Sequence, residues 1–301
     1  MRVTARVPAT AANLGSGFDC LGVALELRNE IVLDVGEPFG IDVEGEGEDR
    51  LPRDGRNMVA RTIEGFFERL GRPAPSFRLT LRNRIPLTGG LGSSSATLVG
   101  ALLVANVAAG RPSSVEQLLC LAAELEGHPD NVAPAVLGGL VVAVADPDAG
   151  LIAVPLPVPA ELTAVLFVPS FVMRTRRARQ LLPKLVPHRD AVFNAARTAL
   201  LVSAFQSGRL ELLRVAMQDR LHQPYRSQLF PAMGAIFEAA LGAGACGACL
   251  SGAGSAILAF ANDRQSAIGE AMERAASSRG VQGRWIVADL ARSGADVIVA
   301  E

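Results

Sequence analysis

Residues 86–103 read PLTGGLGSSSATLVGALL, and no other stretch restricts the fold as tightly. Gly89, Gly90, Gly92 and Ser93–Ser95 cannot build a core, yet the apolar run that follows at once can do little else. The pattern predicts a tight turn feeding straight into a buried helix over about Ser94–Ala109. Glycines there allow positive φ and close approach of the backbone to a ligand. The first-turn amides of such a helix lack intrahelical partners and sit at its positive end, so they attract phosphate. The same residues also read as a plain strand-to-helix turn with a serine N-cap. The loop has no Gly-Lys-Ser/Thr, so it is not a Walker A loop, and GGLGSS does not have the spacing of a dinucleotide GxGxxG.

The supply of cations narrows the options. Lys184 is the chain's only lysine, so phosphate binding must rely on amides, helix ends and arginine. A net charge of −1 gives no overall basic field for nucleic acid or an anionic membrane. With 301 residues, half of them apolar, the chain can bury one large or two medium cores without disulfides. Cys20, Cys120, Cys246 and Cys249 are sparse, as in a reducing compartment. MRVTARVPATAANLG lacks a signal-peptide core. The run Thr97–Gly110 contains Asn106 and falls short of the roughly 20 residues a membrane span needs. The expectation is a cytoplasmic protein.

Strand patterns occur at Val3–Val7, Glu30–Val35, Gly40–Gly45 and Phe77–Asn83, with a helical pattern over Arg56–Leu70. A further helix, Ser113–Glu126, opens on an expected Ser113/Glu116 capping box. Leu137–Ala145 reads as a buried strand, and DPDAG (146–150) as the main mid-chain turn. Beyond it come strands at Ile152–Leu156 and Leu162–Val168. Helices follow at about Thr175–Leu182, Arg189–Ser207, Leu210–Asp219 and Ala232–Leu241. A strand–glycine–strand element spans Ala248–Phe260, and after one more helix Gly283–Asp289 and Asp296–Ala300 read as strands. Strands and helices without strict βαβ alternation indicate an α+β fold. The expected boundary lies between 146 and 160, dividing the chain into 1–155 and 156–301.

Two further stretches bear on the loop. VPATAANLGSGFDCLGVAL (7–25) sets Thr10, Asn13 and Asp19 among glycines, and CLSGAGSAILAF (249–260) is a second Gly/Ser loop between apolar strands. With the loop at 86–96 they resemble, in order, the three signature motifs of the GHMP small-molecule kinases. EGHPDNVAPAVLGG (126–139), VPSFVMRTRRARQLLP (168–183) and DRLHQPYR (219–226) are similar to the homoserine kinases of that family. The resemblance covers almost the whole chain. It departs mildly at Ser16, where proline is frequent, and after Gly254, where Ser255 replaces a common proline.

The resemblance implies two α+β domains, the first like domain 2 of ribosomal protein S5 and the second ferredoxin-like, with the site between them. It implies transfer of a phosphoryl group from ATP, with Mg²⁺, to the side-chain hydroxyl of L-homoserine. ATP would contact Asn57 and the loop residues Pro86, Leu87, Thr88, Gly89, Gly90, Leu91, Gly92, Ser93, Ser94, Ser95 and Ala96. Ser94 and Glu126 would hold the metal, with Glu124 as the rival acid. Asn13, Asp19, His128, Asn131, Arg179 and Arg226 would bind the amino acid, the two arginines gripping its carboxylate as guanidinium forks. Asn131, Thr175 and Arg179 would act on the transferred group. Thr175 also reads as a helix N-cap, Asn57 as a turn asparagine, and Glu126 as a solvated helix acid. His128 reads as a site-lining residue with a satisfied hydrogen bond rather than a base. Asn131 stands where several relatives carry an aspartate base, and an amide takes up no proton at neutral pH. Cys246-Gly-Ala-Cys249 lacks further zinc ligands nearby and reads as packed thiols. The Ser251–Gly254 loop is expected to buttress the phosphate loop.

Competing readings are a GHMP kinase for another small alcohol, such as threonine or a mevalonate derivative, and an idle metabolite-sensing relative. A dinucleotide-dependent dehydrogenase is disfavoured because its strand-first GxGxxG is missing. Nucleic acid and membrane are not expected partners, and the sequence admits a homodimer without establishing one.

Overall fold

The computed structural model describes residues 1–87 and 89–300. Two long strands, β1 (Arg2–Ala12) and β2 (Leu21–Val35), form an antiparallel pair with a register break between Pro8 and Ala9. β3 (Gly40–Gly45), helix α1 (Met58–Arg69) and β4 (Phe77–Asn83) follow, with β3 and β4 parallel. Phe77, Leu79 and Leu81 face the core while Arg78 and Arg82 stay exposed, the period-2 alternation of a half-buried strand.

Helix α2 (Ser93–Ala108) is apolar on every side, and it lies on β1 and β2 with neighbouring helices around it. Gly100 lets it approach the sheet, because a Cβ there would sit 2.6 Å from Ile31 Cδ1. α3 (Val115–Glu126) opens on a capping box, but one register on from the expected pair: Ser114 is the N-cap and Gln117 closes the box. α4 (Pro129–Leu137) runs through a segment whose helix the sequence pattern does not announce. Pro134 lies inside it and cannot donate to the Asp130 carbonyl one turn back. Gly22 of β2 leaves room there, since a Cβ at Gly22 would lie 1.8 Å from Asp130 O. The strand expected from Leu137 therefore starts later, as β5 (Leu140–Asp146), and pairs with β6 (Gly150–Leu156).

The second sheet comprises β7 (Thr163–Pro169), β8 (Gly247–Leu250), β9 (Ile257–Ala261) and β10 (Gly283–Asp289) in the order β10-β7-β9-β8. That is the 4-1-3-2 arrangement of a ferredoxin-like unit. Between β7 and β8 run α5 (Thr175–Gln180), α6 (His188–Ser207), α7 (Leu213–Ala216), α8 (Gln223–Arg226) and α9 (Met233–Gly242). Of the helix expected over Leu210–Asp219, only a 3-10 turn and α7 form. α10 (Gln265–Ser277) joins β9 to β10. Val165 and Phe167 join one core with Ile236, Ile268 and Met272, while Leu166 and Leu258 join the other with Leu201 and Phe205. Both faces of the small sheet are covered, which is why β7 reads as one apolar run.

β11 (Asp296–Ala300) then returns to pair with β1, so the larger sheet has seven strands, with β5 and β6 branching from β2. Among the described residues no helix is long and apolar enough to cross a membrane. All four cysteines are free thiols: Cys249 is buried, Cys20 and Cys246 are half-buried and Cys120 is exposed.

Candidate active site

The turn after Pro86 ends on Gly92, which takes φ +64° as the N-cap of α2. A side chain there would collide with Thr10 Oγ1 at 1.9 Å. The first helical bond runs from Ala96 N–H to Gly92 O. The amides of Ser93, Ser94 and Ser95 thus have no partner among the described residues and open on a cleft. The 251–254 loop braces this turn from the second sheet. Ala256 N–H donates to Gly89 O (3.1 Å), Ser251 Oγ donates to Gly90 O, and a Cβ on Gly89 would lie 2.1 Å from Gly254 O.

The cleft brings together Asn13, Pro86, Leu87, Gly89–Ser95, Glu126, His128, Asn131, Thr175, Arg179 and Arg226. Ala96 is fully buried one turn in, and Thr88 lies outside the described residues. Asn57 is not part of the cleft wall. It is the N-cap of α1, accepting from Val59 N–H (2.9 Å) and donating to Pro52 O (2.7 Å), so both ends of its amide are used internally. Thr175 is the first helical residue of α5, whose N-cap is Arg174, so the N-cap reading of Thr175 is corrected.

The two candidate acids separate cleanly. Glu126 accepts from Ser95 Oγ (2.9 Å) and Ser94 Oγ (3.4 Å) at the mouth of α2. Glu124 is on the surface, paired with Arg69 at 2.8 Å. No cluster of three His, Cys, Asp or Glu side chains able to hold a metal occurs among the described residues. One carboxylate beside hydroxyls instead suits a hard cation that completes its shell with phosphate oxygens and water.

At the start of α4, Asn131 Oδ1 accepts from Thr10 Oγ1 (2.8 Å), which fixes the amide orientation and leaves Nδ2 as the donor end. Asp130, which sequence reading did not single out, is almost fully buried and bonds His128 Nδ1 at 2.8 Å. This bond raises the His128 pKa against the opposing effect of burial. The His-x-Asp spacing behind Pro129 was the available signal.

On the opposite wall, the turn at 13–20 is held by residues far along the chain. Asn13 donates to Gly252 O (2.9 Å) and accepts from Asp19 N–H (2.9 Å). Ser16 O accepts from Asn194 Nδ2 and Thr198 Oγ1. Asp19, not itself on the cleft wall, receives both terminal nitrogens of Arg179 at 2.7 and 2.8 Å.

Arg226 is 1 % exposed and has no carboxylate partner among the described residues. Its Nη1 donates to Gly252 O (2.9 Å) and to His222 Nδ1 (3.0 Å), and its Nε is unpaired. His222 Nε2–H donates to Gly15 O (2.7 Å), so the imidazole is neutral. Burial pushes its pKa down to about 4. Asp219 organises this corner by accepting the amides of Leu221, His222 and Gln223. Burial first, then the charge of Arg179, lower the Arg226 pKa to about 10. A buried cation without a counter-ion is costly unless an anion reaches it.

Among the described residues, free helix-end amides, an acid beside serine hydroxyls and a buried guanidinium without a counter-ion share one cleft, an arrangement that suits a small-molecule phosphotransferase. Profiles of the GHMP kinases N terminal domain and the GHMP kinases C terminal match residues 57–139 and 201–278. The chain belongs to the GHMP kinase family. It is 45% identical over 277 residues to a homoserine kinase from Moorella thermoacetica, covering 92% of this chain and 93% of that protein. It is 41% identical to a Desulfitobacterium hafniense homoserine kinase, covering 98% of this chain and all of that protein. A crystal structure of homoserine kinase from Cytophaga hutchinsonii superposes with a TM-score of 0.87 at 33% identity, covering 99% and 97% of the two chains. Within the GHMP kinases, its place is among the homoserine kinases.

Proposed function

We propose that this chain transfers the γ-phosphoryl group of ATP to the side-chain hydroxyl of L-homoserine, giving O-phospho-L-homoserine and ADP. One observation carries the reading: the free amides of Ser93–Ser95 and the buried, unpaired Arg226 open on the same cleft. The first attracts a triphosphate and the second an amino-acid carboxylate. Strands β1–β5 and α2, within residues 1–155, bind the nucleotide. Residues 156–301 supply Thr175, Arg179 and Arg226.

Phosphoryl transfer asks mostly for alignment and charge neutralisation. The α2 amides hold the phosphate chain. Ser94 and Glu126 hold Mg²⁺, which supplies further neutralisation of the phosphate oxygens. Asp19 takes the substrate ammonium, while Arg226 and Arg179 take its carboxylate. The Asn131 amide, aimed by Thr10, and the Thr175 hydroxyl line the path of the transferred group. The homoserine hydroxyl oxygen forms a bond to the γ-phosphorus as the bond to the β,γ-bridging oxygen breaks and leaves with ADP.

His128 lines the site with its Nδ1 committed to Asp130, and the Asn131 amide takes up no proton at neutral pH, so neither is assigned as a base. The hydroxyl proton therefore leaves late, to a phosphoryl oxygen or to water. ADP release with MgATP, measured against L-homoserine, threonine, serine and mevalonate, tests the assignment. Turnover of homoserine well above the others is the expected result, and turnover of mevalonate alone overturns it.

A further inference from the structure

Phe18 sits between the groups that the proposed function assigns to the substrate's carboxylate. The Arg179 guanidinium carbon lies 5.6 Å from its ring centroid and that of Arg226 lies 5.4 Å away. Its ring also stacks on His222, with centroids 5.1 Å apart and planes inclined by 26°. Cations within about 6 Å of an aromatic centroid are attracted by the ring quadrupole. Here one ring serves two guanidinium groups that repel each other, as the lowering of the Arg226 pKa by Arg179 records.

Little else holds that pair together. Among the described residues Arg226 has only a carbonyl and a neutral imidazole as hydrogen-bond partners, and Arg179 has only Asp19. Phe18 is fixed by its turn: Gly17 N–H bonds Asn13 O, Leu21 N–H bonds Gly17 O, and the next residue, Asp19, is anchored on Asn13 Oδ1 at φ +56°. Phe18 and Asp19 are thus adjacent on one rigid turn, one residue facing the two guanidinium groups and the other pairing with one of them.

We infer that Phe18 is a positioning residue for carboxylate recognition, its ring holding Arg179 and Arg226 convergent so that the site selects an α-amino acid over the corresponding amino alcohol. This rests on the homoserine kinase reading and deepens it. A leucine would fill much of the same space but offers no quadrupole, and a tyrosine would keep it. The two contributions are therefore separable.

The test compares wild type, Phe18→Leu, Phe18→Met and Phe18→Tyr with two acceptors, L-homoserine and 3-aminopropan-1-ol, which lacks only the carboxylate. The second acceptor is assayed as substrate or as competitive inhibitor. The aliphatic variants should raise the KM for homoserine about tenfold, with kcat and the KM for ATP within about twofold of wild type, since ring–cation contacts in desolvated sites reach that size. Their response to 3-aminopropan-1-ol should not change, and Phe18→Tyr should restore homoserine binding. Equal losses for both acceptors, a loss in kcat alone, or no change would overturn the inference. Wild-type enzyme inactive on homoserine would instead overturn the underlying assignment.

Discussion

Asp19 and Arg179 form a bidentate ion pair at the cleft wall, with both Arg179 terminal nitrogens within 2.8 Å of the carboxylate. The residues proposed for the two charged ends of a zwitterion are thus paired with each other. Each side chain is about a third exposed, so the pair is screened and can open without a large penalty. Homoserine offers both residues an alternative partner at once. Asp19→Asn keeps the shape, frees Arg179 and removes the acceptor for ammonium. It should lower kcat/KM for homoserine by about 10- to 100-fold while leaving the KM for ATP close to wild type. Steady-state kinetics varying each substrate in turn checks this.

Glu126 and Glu124 should differ sharply. Glu126→Gln removes the carboxylate beside Ser94 and Ser95 and should cost about 100-fold or more in kcat, with a raised Mg²⁺ requirement. Glu124→Gln breaks only an exposed pair with Arg69 and should stay within about twofold in activity and about 1 kcal/mol in stability. Magnesium titrations of both variants decide between the two acids.

Gly92 allows no side chain. Gly92→Ala places a methyl at positive φ against Thr10 Oγ1, whose hydroxyl holds Asn131. It should destabilise the fold by about 1–3 kcal/mol. It should also reduce kcat more than that loss of stability explains, because the α2 amides and Asn131 both shift. Thermal unfolding read together with kcat separates the two effects.

His222 makes stability depend on pH. Its folded pKa of about 4 lies below the ordinary 6.5, so between those values the unfolded chain binds a proton that the folded chain does not. Stability therefore falls as pH drops from about 6.5 toward 4. His128 has the opposite sign: its raised pKa gives stability that is present below 6.5 and is lost as pH rises through the folded value. His222→Gln should flatten the acid limb of a stability-against-pH curve, and His128→Gln the limb above 6.5. Denaturant titrations across pH 4–9 test both.

Much of the fold can be read from local pattern. Phe77–Asn83 alternates as a strand must, and Met58–Arg69 sets one apolar face against the core. What stayed hidden depends on contacts distant in sequence. α4 tolerates Pro134 because Gly22, on another element, makes space for it. Asn13, Leu14 and Asp19 take positive φ in a turn held by Asn194, Thr198 and Gly252. No window of nearby residues contains that information.

The site follows the same rule. The glycine–serine loop announces itself because its function lies in its own backbone. Asn57 reads two ways because an asparagine suited to a nucleotide's base also suits a helix cap, and its amide bonds Pro52 O and Val59 N–H. Asp130 and His222 act through a neighbour, and only coordinates reveal which one.

The return of β11 to β1 ties the order of assembly to translation. The first lobe's sheet stays open along β1 until the ribosome has delivered the whole second lobe and the strand after it. An emerging chain thus carries an unsealed edge through most of its synthesis, when contact with a chaperone or a sister nascent chain matters most.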